Sequence, residues 1–238
     1  MPAPSMRMTT EPRLTGLYRL LSWASPGFPI GAFSYSHGLE AAAAAGAVHD
    51  RATLERWIAA TVGNGSGRID ADVARDAWRA AGAGDGAALA KANRRGMAYR
   101  ATAELALESR QQGAAFVAAH EAAWASRRGD PVLLADEEEA ICHAAAFGAA
   151  AARADIALAD ALAAYLQSFA ANLISAGLRL GIIGQSDGQR ILAALEPVVA
   201  AAVSAALGRD AEDFGSATFA ADLASTAHET QYTRLFRS

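Results

Sequence analysis

The sequence predicts an all-α fold, a single-domain bundle of about eight to ten helices. Three observations carry that reading. Apolar residues recur at i, i+3 and i+4 over most of the chain, the spacing that gathers them on one helix face. No run alternates apolar and polar residues with the β-branched bias of a strand. Glycine, proline and serine cluster where helices must stop, at Ser25-Pro26, in residues 63–67, 82–86 and 126–131, and at Gly208. With 238 residues, 53% of them hydrophobic and 19% charged, the chain can bury one sizeable core. Residues 1–10 are expected to be a flexible leader. Residues 11–238 form the helical domain, including a tail that starts near residue 226.

Taken in order, Leu14, Leu17 and Leu21 make the first helical stripe. The stretch 25–40, SPGFPIGAFSYSHGLE, interrupts it, because Pro26, Pro29 and Gly31 exclude regular helix. Phe28, Ile30, Phe33 and Tyr35 nevertheless ride on that loop, and although Ser34 or Ser36 can cap the helix that follows, capping does not explain the rings. Asp50 suits the unpaired amides of a helix start, and Leu54, Trp57, Ile58, Thr61 and Val62 continue from it at helical spacing. Residues 68–79, RIDADVARDAWR, alternate charge as an exposed helix does. Asp85 and the acidic run 136–139 mark two further helix starts. Leu158, Leu162, Tyr165, Phe169, Leu173, Ala176 and Leu180 follow one long stripe. Its uncharged part, residues 161–178, would reach about 27 Å as a helix. Gln167, Ser168, Asn172 and Ser175 make it a buried central helix, not a membrane span. The abundant alanine predicts close helix packing with little room for large cavities.

Several function classes are excluded. The net charge is −4, and Lys91 is the one lysine among 21 basic residues, with no basic stripe, so no nucleic acid partner is expected. Cys142 stands alone, which rules out an intrachain disulfide, and the N-terminus lacks the apolar core of a signal peptide; a cytoplasmic location is expected. No glycine-lysine-serine phosphate loop occurs. His37, His49, His120, His143 and His228 include no i, i+4 pair, and Cys142 and His143 would point about 100° apart on a helix, so both read as core residues. No catalytic residue, metal site or tightly bound cofactor is expected. The last segment, HETQYTRLFRS (228–238), interleaves Tyr232, Leu235 and Phe236 with Arg234 and Arg237. That composition fits an interface anchor or a terminal turn docked on its own core, and the pattern leaves both open.

Four segments in order, LLSWASPGFPIGAFSYSHGLE, ATAELALESRQQG, LGIIGQSDGQRIL and HETQYTRLFRS, make the sequence resemble the UreF family of urease accessory proteins. The likeness spans nearly the whole chain. It implies a homodimeric, non-enzymatic adaptor that bridges UreD (UreH in some organisms) to the GTPase UreG. That complex delivers nickel to apo-urease and couples GTP hydrolysis to metallocentre assembly, so nickel passes through the complex instead of being held. The resemblance further implies that Pro29, Gly31, Phe33, Ser34, Tyr35, Gly38 and Glu40 help form the GTPase-facing surface. Gly31 would supply backbone freedom, and Glu40 a charge for a basic residue across the interface. His228, Glu229, Gln231, Tyr232, Arg234, Leu235 and Arg237 would belong to a tail that orders on binding UreD. His37 stands where glutamine is common in the family, and residues 225–227 where methionine and a basic residue are frequent. Two rival readings remain. One is a helical metal- or small-molecule-binding regulator, suggested by the histidines and the central apolar helix. The other makes Arg234 or Arg237 an arginine finger acting on GTP hydrolysis.

Overall fold

A computed structural model describes residues 10–124 and 140–238. The expected leader, apart from Thr10, lies outside the described residues, as do the stop signal at 126–131 and the acidic run 136–139. The described residues form eleven α-helices, one 3₁₀ turn and no strand, so the chain is an all-α bundle. They are α1 (Thr10–Trp23), the 3₁₀ turn Ala32–Ser34, α2 (Leu39–Ala44), α3 (Arg51–Asn64), α4 (Ser66–Gly82), α5 (Gly86–Ala98) and α6 (Ala103–Ala123). Then follow α7 (His143–Arg153), α8 (Leu158–Arg179), α9 (Gln185–Ala194), α10 (Glu196–Gly208) and α11 (Phe219–His228). Helix α2 is only a short turn of helix, and the apolar stretch after residue 184 breaks at Leu195 into α9 and α10.

Local chemistry sets the starts. Asp50 and Thr53 close a reciprocal capping box on α3, with the Thr53 amide donating to Asp50 Oδ1 at 2.7 Å. Asp85 accepts from the Ala88 amide at 2.9 Å, and Thr102 caps α6. Ser36 Oγ accepts from the Glu40 amide at 3.3 Å, the helix-start bond foreseen for that serine.

Helices α4 and α7 form the centre. Every residue of α7 from His143 to Ala151 is buried, and at Gly148 an added Cβ would stand 2.2 Å from the Ala74 carbonyl oxygen, so the two backbones touch. Leu54, Ile58 and Val62 of α3 and Leu162, Tyr165, Leu166 and Leu173 of α8 pack around this pair. Helix α8 and the α9–α10 stretch are each long and apolar enough to cross a membrane, yet α8 lies mostly in the core and the second stretch is interrupted at Leu195.

Three expectations need correcting. Leu14, Leu17 and Leu21 face outward, and Leu20 and Trp23 seat α1 instead. The charges of 68–79 are not a solvated face: Asp70, Asp72 and Arg75 are buried. Asp70 pairs with Arg100 at 2.5 Å, and Asp72 with Arg209 at 2.7 Å and Arg75 at 3.1 Å. Partners from distant parts of the chain permit that burial. Desolvation pushes the Asp72 carboxyl above its usual range, against the pull of Arg209 and Arg75. Finally, alanine packs α4 on α7 tightly, but a half-open cavity of about 440 Å³ survives under the loop that follows α1, with Pro26 and Pro29 in its lining.

Candidate functional site

The loop between α1 and α2 is fixed from both sides. Phe28 is buried against Phe116 with ring centres 5.3 Å apart. Tyr35 is buried too; its hydroxyl donates to Gln111 Oε1, and its carbonyl accepts from Asn172 Nδ2 at 3.3 Å. Phe33 projects outward with 67% of its surface exposed. Gly31 opens the 3₁₀ turn at φ 72°. Gly38 lies at φ 74°, and an added Cβ there would come within 2.6 Å of the Ser225 amide nitrogen. Only glycine meets both demands, and through it α2 lies directly on α11.

Glu40, the second residue of α2, is buried and turned inward. Its carboxylate accepts from the Leu235 amide at 2.7 Å, the Phe236 amide at 2.9 Å and His228 Nε2 at 3.2 Å. The other nitrogen of this fully buried imidazole lies 2.7 Å from Glu104 Oε2 at the start of α6. Arg234 binds the second Glu104 oxygen at 2.5 Å. Glu229 accepts from the amides of Ala103 and Glu104 at 2.8 and 3.3 Å, so the tail covers the α6 N-terminus.

The chain then runs back over the loop. The Arg237 amide donates to the Ser34 carbonyl at 2.8 Å, and the Ser36 amide to the Ser238 carbonyl at 3.0 Å. Phe236 is buried beneath the Arg179 guanidinium, whose carbon lies 4.2 Å from the ring centre. Glu108, one turn beyond Glu104, accepts from Ser238 Oγ at 2.8 Å and Gln112 Nε2 at 2.7 Å and pairs with His37 at 2.9 Å. Three segments far apart in sequence therefore share one face.

The fourteen expected partner residues divide accordingly. Pro29, Phe33, Glu229, Tyr232, Arg234, Leu235 and Arg237 are exposed, and Gly31, Ser34 and Gln231 partly so. Tyr232 is fully exposed and Leu235 60% exposed. Tyr35, Gly38, Glu40 and His228 are buried inside the chain. For these four the contacts lie within the chain: Glu40 meets its own tail, where two backbone amides and an imidazole surround its carboxylate. Glu104, Glu108, Gln111 and Gln112 had not been singled out. Their spacing of three and four residues, which puts them on one face of α6, was the available signal.

Among the described residues no group of three histidine, cysteine, aspartate or glutamate side chains could hold a metal ion. Burial raises the Cys142 thiol to about 11 and lowers His143 to about 4, which makes each an inert core group.

Comparison with known proteins supplies the remaining observation. The family model described as UreF matches residues 48–196. The chain is 48% identical to the urease accessory protein UreF of Rhodopseudomonas palustris (strain BisA53) over 222 residues, 93% of each protein. It is 48% identical to that of Granulibacter bethesdensis, over 93% of this chain and 94% of the relative. With the protein of the same name from Bradyrhizobium diazoefficiens it shares 45% identity over 93% of this chain and 91% of the relative.

Proposed function

This chain belongs to the UreF family of urease accessory proteins, and from that premise we propose that it works as a non-enzymatic, cytoplasmic, homodimeric adaptor joining UreD (UreH) to the GTPase UreG during nickel delivery to apo-urease. The observation that carries the proposal is the contrast within one face. Phe33, Tyr232 and Leu235 stand in solvent while the residues between and beneath them are anchored by buried carboxylates. Exposed aromatic and aliphatic side chains on a pre-ordered backbone bind a partner with little loss of conformational freedom. In this reading Tyr232 and Leu235 meet UreD. Phe33 and the surface that the tail shapes meet UreG, and nickel passes through the assembly without a resident site here.

Any influence on GTP hydrolysis passes through contact. Arg234 already holds Glu104, and Arg237 reaches toward Gln111 at 3.3 Å, which argues against either as a free arginine finger.

The test is capture of UreD and UreG by a chain carrying Phe33→Ala, Tyr232→Ala and Leu235→Ala together. These side chains support little of the core, so the variant keeps its helical content and melting temperature and loses capture of UreD, and with it recruitment of UreG. Full capture of both by a folded variant would overturn the proposal.

A further inference from the structure

The face shared by the α1–α2 loop and the tail presents its charges unevenly. The four glutamates that hold the tail are all engaged by groups of the same chain. Glu40 accepts from the amides of Leu235 and Phe236, and Glu104 meets His228 and Arg234. Glu108 meets His37 and Ser238, and Glu229 accepts from the amides that open α6. Two guanidiniums stand outside this arrangement. Arg179, at the end of α8, is exposed and lies over the Phe236 ring. Arg237, the next residue along the tail, is exposed and bonds the neutral side chains of Gln111 and Tyr35. Among the described residues neither has a carboxylate within ion-pair distance. In a chain of net charge −4, this face thus turns unmatched positive charge outward.

The apolar side chains between them narrow the kind of partner. The Arg237 amide is bonded to the Ser34 carbonyl, which sets its guanidinium beside the residue that follows Phe33, and Leu235 precedes the ring that Arg179 covers. Phe33 and Leu235 are 67% and 60% exposed. A guanidinium fork matches a carboxylate in two parallel hydrogen bonds, and arginine beside exposed aromatic and aliphatic groups is the composition of an interface centre. A phosphate backbone needs a longer row of cations than two, without apolar groups between them.

Resting on the reading above that Phe33 meets UreG, we infer that this face takes a carboxylate-bearing surface of that GTPase, with Arg179 and Arg237 gripping its acidic side chains on either side of Phe236. Phe33 supplies the apolar contact, and the two arginines set orientation and speed of encounter.

The test titrates UreG into the chain already bound to UreD, by calorimetry, at low and at moderate salt. Arg179→Gln and, separately, Arg237→Gln weaken UreG binding by about fivefold or more at low salt, and the two together flatten the salt dependence that the wild-type complex shows. Hydrogen exchange of the Leu235 and Phe236 amides checks that the tail stays docked; should Arg179→Gln release it, Arg237→Gln alone decides. Undiminished UreG binding by a folded Arg237→Gln chain, while Phe33→Ala still impairs it, would overturn the inference and leave the adaptor reading standing. Undiminished binding in Phe33→Ala as well would remove both. A folded arginine variant that fails to hold UreD would assign the face to UreD and overturn the inference too.

Discussion

Replacing Glu40 by alanine probes the join between loop and tail most sharply. The wild-type carboxylate meets three groups, the partly buried amide of Leu235, the buried amide of Phe236 and the Nε2 of the buried His228. In Glu40→Ala all three lose their acceptor, and His228 keeps only Glu104. Left buried and unpaired, each donor would cost about 1–3 kcal/mol, a total of about 3–9 kcal/mol. The chain avoids the upper end by releasing the tail to water, so the loss is capped by the docking energy of Phe236 and its bonds. A fall in unfolding free energy of about 2–4 kcal/mol is expected. Release has a second signature. Each 1.4 kcal/mol of lost docking speeds exchange of the Leu235 and Phe236 amides about tenfold. Urea denaturation measures the first quantity, and hydrogen exchange of the C-terminal peptide the second. Amides that stay protected, together with a stability change within about 0.5 kcal/mol, would refute the reasoning.

Further expectations concern single sites. Gly38→Ala must push α2 away from α11 and adopt a strained φ, so its melting temperature falls well below that of Gly46→Ala, which has a similar φ of 75° but open space around it. Gly148→Ala sets a methyl against the Ala74 carbonyl and separates α4 from α7; thermal denaturation should show a loss of at least about 3 kcal/mol or failure to fold. His143 is held down to about 4 by burial, so the unfolded chain binds the extra proton between that value and about 6.5. Stability on this account is fully present above about 6.5 and falls as pH drops toward 4, by about 1.4 kcal/mol per unit. A folded His143→Phe chain, compared by urea denaturation at pH 7 and pH 5, should lose that part of the slope.

Which parts of this structure could be read from the sequence follows from the range of the interactions involved. Helices of α3 and α8 are set by residues three and four apart, and Leu54, Ile58, Leu162 and Leu173 lie where their spacing requires. Asp50 and Asp85 cap as local chemistry demands. The alternating charges of α4 misled because Arg100 and Arg209, which permit their burial, lie 30 and 137 residues from the aspartates they meet. Leu14, Leu17 and Leu21 show that periodicity identifies a face without saying what covers it. The Glu40 contact with Phe236 spans 196 residues, so composition could narrow the tail to interface anchor or docked terminus but not choose. Phe236 and His228 dock on the core, while Tyr232 and Leu235 point outward.

Hydroxyl-radical footprinting of the chain, alone and in complex with UreD and UreG, addresses the adaptor role most directly, because it reports side chains one by one. Oxidation of Phe33, Tyr232 and Leu235 should fall sharply on complex formation, while the already shielded Phe236 and Tyr35 stay unchanged. Undiminished labelling of all three exposed side chains in a fully formed complex would contradict the account.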